Sequence, residues 1–200
     1  MDWHVIIGAL AGLISIGATI PYLRDIVRGD TRPNVVSWSL WTIVVLITAF
    51  AQVSAGASWS LFLLIGSSIA NISVVVLCIL GYGYRRFELA DKICLVLAFA
   101  ALLFWWITSN PVIAIVLAVT ADGIAYIPTY AKVYKHPKSE THLYWAILTF
   151  ADMLALISVT KMSMANSLFP ISYAVFNALV VVVGFLGRRL KKIPASSATG

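Results

Sequence analysis

Seven stretches of this chain are too long and too apolar for anything except helices that cross a bilayer. They run over residues 4 to 24, 35 to 56, 60 to 82, 92 to 109, 111 to 133, 142 to 160 and 167 to 187. A spanning helix needs about 20 predominantly apolar residues to cross a hydrocarbon core about 30 Å thick. Barrel strands would instead show segments of about ten residues with alternating polarity, a pattern the chain lacks. Composition agrees, with 61% hydrophobic and 11% charged residues against roughly 45–50% and 25% in soluble domains. The expected fold class is an all-α integral membrane protein. The last residues, 191–200, are polar and small and read as a flexible tail.

The formal net charge of +6 would suggest nucleic acid in a soluble protein, but its placement points to topology instead. Arg24, Arg28 and Arg32 follow the first span; Arg85, Arg86 and Lys92 follow the third. Lys132, Lys135 and Lys138 follow the fifth, and Arg188, Arg189, Lys191 and Lys192 the seventh. The other connections hold only Lys161. By the positive-inside rule the N-terminus lies outside and the C-terminus in the cytoplasm, with no nucleic-acid partner. The opening residues MDWH lack a basic n-region, so the first span is expected to be retained. A short chain without sorting tails fits a prokaryotic inner (plasma) membrane. Cys78 and Cys94 fall in or beside spans and read as apolar packing rather than a disulfide.

The chain repeats itself. Residues 20–38 read IPYLRDIVRGDTRPNVVSW and residues 127–145 read IPTYAKVYKHPKSETHLYW, so Pro21, Arg28 and Trp38 recur 107 positions later as Pro128, Lys135 and Trp145. Seven spans with this repeat imply a three-helix unit over 1–87, a connector helix over 88–110 and a second three-helix unit over 111–190, the two units parallel. Parallel repeats about an axis along the membrane normal are one transporter layout, with the ligand site near the midplane between them. Pro21 and Pro128, near the cytoplasmic end of the first helix of each unit, are hinges or helix terminators. Trp38 and Trp145 begin the second helix of each unit and are interfacial anchors or ligand-stacking surfaces. Gly8 and Gly12 form a G-x-x-x-G step that permits close helix contact.

Asp122 and Asp152 fall near the midplane of spans five and six, where a charge costs roughly 2.5–3.5 kcal/mol on insertion scales. Intramembrane acids mark ion pathways, so both are candidates for proton coupling; the alternative is a carboxyl hydrogen-bonded to Thr149, Ser15 or Thr120. Gln52 and Lys161, toward the outer ends of spans two and six, read as boundary residues. An enzyme is not expected: TADGIAY and TFADMLA lack the Gly-x-Gly-Asp pattern of membrane aspartyl proteases. A retinal protein would need a lysine within 167–187, which holds none. His4, His136 and His142 are scattered over both membrane faces, and no metal or cofactor is implied.

The two proline segments, Lys138-Ser139 and the three-plus-one-plus-three order resemble the PQ-loop transporters, the superfamily that includes the SWEET sugar transporters and cystinosin-like exporters. The glutamine that names the motif is replaced by Tyr22 and Thr129. The first copy has DTRPN in place of a Lys-Ser step, and spans two and six lack the prolines of the SWEET pattern. The resemblance implies a transporter of a small polar solute, sugar-like or amino-acid-like, working by alternating access. It also matches Asn71 and Asn177, near the middle of spans three and seven, to a sugar-facing asparagine pair, and Asp152 to the proton-carrying aspartate of cystinosin-like members. An interhelical hydrogen bond is the other reading of each asparagine. A nicotinamide riboside-type vitamin transporter and a non-transporting ligand or cargo receptor on the same fold are the alternatives. The expected partners are the solute, the bilayer and protons; the oligomeric state is left open.

Overall fold

The computed structural model describes residues 2–56, 58–83, 89–137 and 140–192, and the side chains within them apart from Ala90, Pro128 and Leu190 to Lys192. The boundary expected at 87/88, the Arg85-Arg86 pair, the Lys138-Ser139 step, most of the tail and the side chain of Pro128 therefore lie outside the described residues. All regular structure among them is helical: α1 (Trp3–Arg28), α2 (Val35–Ser54), α3 (Leu61–Leu77), α4 (Leu89–Thr108), α5 (Pro111–Lys135), α6 (His142–Ile157) and α7 (Met164–Lys192). A π-helical turn, Cys78–Tyr82, extends α3.

Local chemistry sets the helix ends. Asp2, Asn34 and Asn110 cap α1, α2 and α5, each side chain accepting the backbone N–H two residues on and so satisfying an otherwise orphaned donor. Gly29 ends α1 with φ 81°, a left-handed conformation that glycine adopts without a Cβ penalty. Pro21 does not end the helix: α1 continues seven residues past it to Arg28. Six of the helices are long and apolar enough to cross a bilayer. The seventh, α6, ends at Ile157 rather than 160 and has 16 residues, about 24 Å at 1.5 Å per residue.

The packing neighbours form a closed ring in the order α1, α3, α2, α5, α7, α6 and back to α1. Adding 107 to the numbering maps α1 onto α5, α2 onto α6 and α3 onto α7, and carries each contact of this ring onto another contact of it. Each unit is thus a three-helix bundle whose third helix sits between its first two. α4 stands outside the ring against α5 and α2, with Trp106 83% exposed at its far end. Large apolar side chains cover the perimeter, among them Leu13, Phe50, Ile79, Phe99, Phe150 and Phe185, as expected for a surface solvated by acyl chains.

The G-x-x-x-G step seats α1 against α3. A Cβ added at Gly8 would lie 2.5 Å from the carbonyl oxygen of Trp59, and one at Gly12 2.5 Å from that of Phe62. Small residues allow this approach, and dispersion contact then holds the pair without help from water. Cys78 and Cys94 are buried free thiols, and Cys94 donates to the Ala121 carbonyl at 2.9 Å.

Candidate functional site

The ring encloses a layer of aromatic side chains drawn from both bundles. Tyr22 of α1 stacks on Tyr144 of α6 with centroids 4.5 Å apart and tilts against Trp38 of α2 at 5.4 Å. Trp41, one turn beyond Trp38, lies 5.2 Å from Tyr126 of α5 and meets Trp145 of α6 edge-on at 6.4 Å. Offset and edge-to-face contacts of this kind add to the burial of large rings. The layer thus joins α1 and α2 to α5 and α6 across the seam between bundles.

On the basic side of this layer is a cavity of about 360 Å³, lined by Asn34, Ser37, Asp91, Thr129, Lys132 and Glu140 and floored by Tyr22, Trp38, Trp41 and Trp145. The charge bias assigns this side to the cytoplasm. Glu140 pairs with Lys132 at 2.5 Å and accepts a weak bond from the Trp145 indole N–H at 3.4 Å. Ser37 donates to Asp91 at 2.9 Å, and Thr141 donates to Asp25 across the bundle seam at 2.5 Å.

Behind the aromatic layer lies a second, smaller cavity of about 30 Å³, room for little more than one or two water-sized groups. Trp38, Trp41 and Trp145 wall both cavities. Ser15, Ser67, Asn71, Asp152 and Asn177 supply the polar wall of the inner one, with Tyr126, Tyr144 and Tyr173 completing the rings. The Tyr126 hydroxyl donates to Asn177 Oδ1 at 2.7 Å, and Asn177 Nδ2 donates to Asp152 Oδ2 at 2.8 Å. Helices α5, α7 and α6 are thereby tied by one chain of hydrogen bonds. Asp152 Oδ1 and the Asn71 amide make no hydrogen bond among the described residues. Asp122, one turn before Tyr126, is fully buried with both oxygens unbonded; the Tyr173 hydroxyl is turned toward it, outside good hydrogen-bond geometry.

The opposite end is closed. Gln52 Nε2 donates to the carbonyl of Ala165 at 3.2 Å and to Ser60 at 3.3 Å, and the Thr160 N–H donates to Ser58 at 3.0 Å. The bonds to Ala165 and from Thr160 run between the bundles, while the one to Ser60 stays within the first. The inner cavity is thus bordered by the aromatic layer that it shares with the larger one.

Several expectations change on this geometry. Trp38 and Trp145 are 4% and 2% exposed; they are not boundary anchors but cavity walls, because they face the bundle seam rather than lipid. Gln52 is fully buried in the seal rather than at the membrane boundary, while Lys161 is exposed as expected. Asp152 is partnered by Asn177 and not by Thr149, Ser15 or Thr120; Thr149 and Thr120 bond their own helix backbones, and Ser15 meets Ser67. Asn71 and Asn177 both line the inner cavity but are not equivalent, since only Asn177 has its amide engaged on both sides. Asp122 stands behind the cavity wall and does not line it. Pro21 lies within α1 beside Tyr22 of the ring layer.

Sequence reading missed Tyr22, Trp41, Tyr126, Tyr144 and Tyr173. A usable signal was present in helical spacing: Trp41 follows Trp38 by three, Tyr126 follows Asp122 by four and Asn177 follows Tyr173 by four, so each pair shares a helix face. Missed too were Asp91 and Glu140, buried acids of the larger cavity. No cluster of three or more His, Cys, Asp or Glu that could hold a metal occurs among the described residues. The chain matches no known family model, no characterised protein and no solved structure. Its architecture is that of an all-α protein with multiple membrane-spanning helices around an internal cavity lined by aromatic and polar side chains.

Proposed function

We propose that the protein transports a small polar solute by alternating access, one three-helix bundle rocking against the other. The observation that carries this reading is the inner cavity: polar side chains placed within a membrane, at the seam of two repeats, with an aromatic layer between them and a larger cavity. The chain resembles the PQ-loop transporters in its proline segments and helix order. In this reading Asn71, Trp38 and Trp145 contact the solute and Asn177 shapes the site. Asp152, with Asp122 behind it, carries the coupling proton, and Pro21 and Pro128 flex the first helix of each bundle. This reading assigns no covalent chemistry to the site.

A vitamin transporter of nicotinamide riboside type is the second reading, favoured by Tyr22, Trp38, Trp41 and Trp145 at the floor of the larger cavity, which would stack on a flat heterocycle. The test is uptake into proteoliposomes of a panel of sugars, amino acids and nucleosides, with and without an inward proton gradient, for wild type and Asp152→Asn. Accumulation that needs both gradient and Asp152 supports a proton-coupled transporter. Equilibration that ignores both makes the protein a facilitator, and binding without any flux makes it a receptor.

A further inference from the structure

The inner cavity has an uncompensated charge pattern. Two carboxyl groups, Asp152 and Asp122, are buried within the ring, and no lysine, arginine or histidine among the described residues lines the cavity or bonds either one. Buried carboxylates are normally paired, because removing a charge from water costs several kcal/mol unless an opposite charge replaces the solvent. Among the described residues no positive partner stands at the cavity, and that place is left for whatever enters it.

The rest of the wall has the same preference. Trp38, Trp41, Trp145, Tyr126, Tyr144 and Tyr173 surround the space, and the faces of such rings carry the negative lobe of the aromatic quadrupole, which attracts cations. Acceptors suited to a cation are free on the wall, beside donors such as the Asn71 amide nitrogen and the Trp41 indole. Asp152 Oδ1 and the Asn71 amide are unbonded, and the Ser15 and Ser67 hydroxyls meet only each other, at a long 3.4 Å. A primary ammonium group brings three donors and no acceptor. The free volume of about 30 Å³ suits a group near the size of water and is too small for a quaternary ammonium head.

We propose that the transported solute is a compact primary amine in its protonated form, its ammonium group seated in the inner cavity against Asp152, Asn71 and the Ser15–Ser67 pair, with the remainder of the solute in the larger cavity beyond the tryptophans. This rests on the transport reading above for the word "transported"; the charge rule itself concerns binding and is tested separately. A neutral solute would leave the carboxyl without a positive partner.

Three tryptophans border the cavity, so intrinsic fluorescence of the purified full-length protein reports occupancy. The probes are matched sets: glucosamine against glucose and N-acetylglucosamine, 2-aminoethanol against ethylene glycol, and tetramethylammonium as the bulky cation. The expected result is saturable quenching by glucosamine or 2-aminoethanol at concentrations roughly tenfold or more below their neutral partners. That preference is lost in Asp152→Asn and weakened in Asn71→Leu, the second variant serving if Asp152→Asn does not fold. Neutral analogues binding as well as the amines, tetramethylammonium binding as tightly as 2-aminoethanol, or no amine binding at millimolar concentration would each overturn the proposal. The same sets in proteoliposome uptake separate the two readings. Flux of a neutral solute alone removes the amine assignment and keeps the transporter, whereas amine binding without flux of any solute keeps the amine site and removes the transporter.

Discussion

The two bundles share a helix order and diverge in what they place at the centre. Position for position, Ser15 of α1 stands where α5 has Asp122, and Val45 of α2 stands where α6 has Asp152. Thr19 answers Tyr126, and Trp41 answers Leu148. All four first-bundle residues are buried, as are the two acids and Tyr126. The first bundle therefore supplies small, apolar and indole surface, while the second supplies the acids and the hydrogen-bonded chain from Tyr126 through Asn177 to Asp152. A symmetric backbone has been given an asymmetric charge. A duplicated scaffold can thus confine its buried acids to one half, where acids facing each other from both halves would add repulsion.

The packing of the bundles differs as well, and this gives the largest expected effect. Gly8 and Gly12 bring α1 onto α3, but the equivalent positions in α5 are Ile115 and Val119. Gly12→Val forces a side chain onto the Phe62 carbonyl, 2.5 Å from the added Cβ, and should abolish the monodisperse peak on size-exclusion chromatography. Val119→Ala, at the matching place, should cost roughly 1 kcal/mol and keep the peak. Equal outcomes would mean that the bundles close by the same contacts after all.

Next come the acids. Asp152→Asn should reduce gradient-driven uptake by about tenfold or more, the scale of losing one buried charge-assisted interaction, and Asp122→Asn should act in the same direction but less. Ser15→Ala should change uptake no more than about twofold, a single weak hydroxyl contact being removed. Loss of coupling in Ser15→Ala as severe as in Asp152→Asn would end the claim that the working pole lies in one bundle.

The asparagines sharpen the comparison further. Asn177→Ala breaks two buried hydrogen bonds and leaves Tyr126 and Asp152 unsatisfied, which should lower the thermal midpoint by the equivalent of roughly 1–3 kcal/mol. Asn71→Ala removes an amide with no such bonds, so thermal unfolding should shift by less than about 0.5 kcal/mol while solute affinity falls. The smallest effect is expected from Trp145→Phe, which gives up only the 3.4 Å bond to Glu140 and keeps a ring in the wall. Fluorescence titration should show a change in affinity of about twofold.

How much of this was legible beforehand follows from the length scale of each signal. The seven spans and their ends come within a few residues of the observed helices, since a run of apolar side chains and a capping Asp2, Asn34 or Asn110 act over one segment. The acids and the asparagines announced themselves because polar groups are costly in a bilayer wherever their side chains point. For Trp38 and Trp145 the structure removes the boundary-anchor expectation and shows two buried rings that line the cavities. A tryptophan near a helix start has the same sequence signature whether it meets headgroups or a bundle seam, and only the neighbouring helix distinguishes them. Gln52 was misread likewise, since its partners, Ala165 and Asn166, lie more than a hundred residues away.

By itself the sequence determined the membrane as solvent, the helical class, the repeat and the presence of two intramembrane acids, because hydrophobicity and its period are properties of single segments. Only the tertiary structure decided which rings form the layer between the cavities, that Asn177 rather than a nearby hydroxyl holds Asp152, and that Asp122 stands behind the wall. Those outcomes depend on which faces of α1, α2, α5, α6 and α7 meet across the ring, and that meeting is a balance among many close contacts that no one segment encodes.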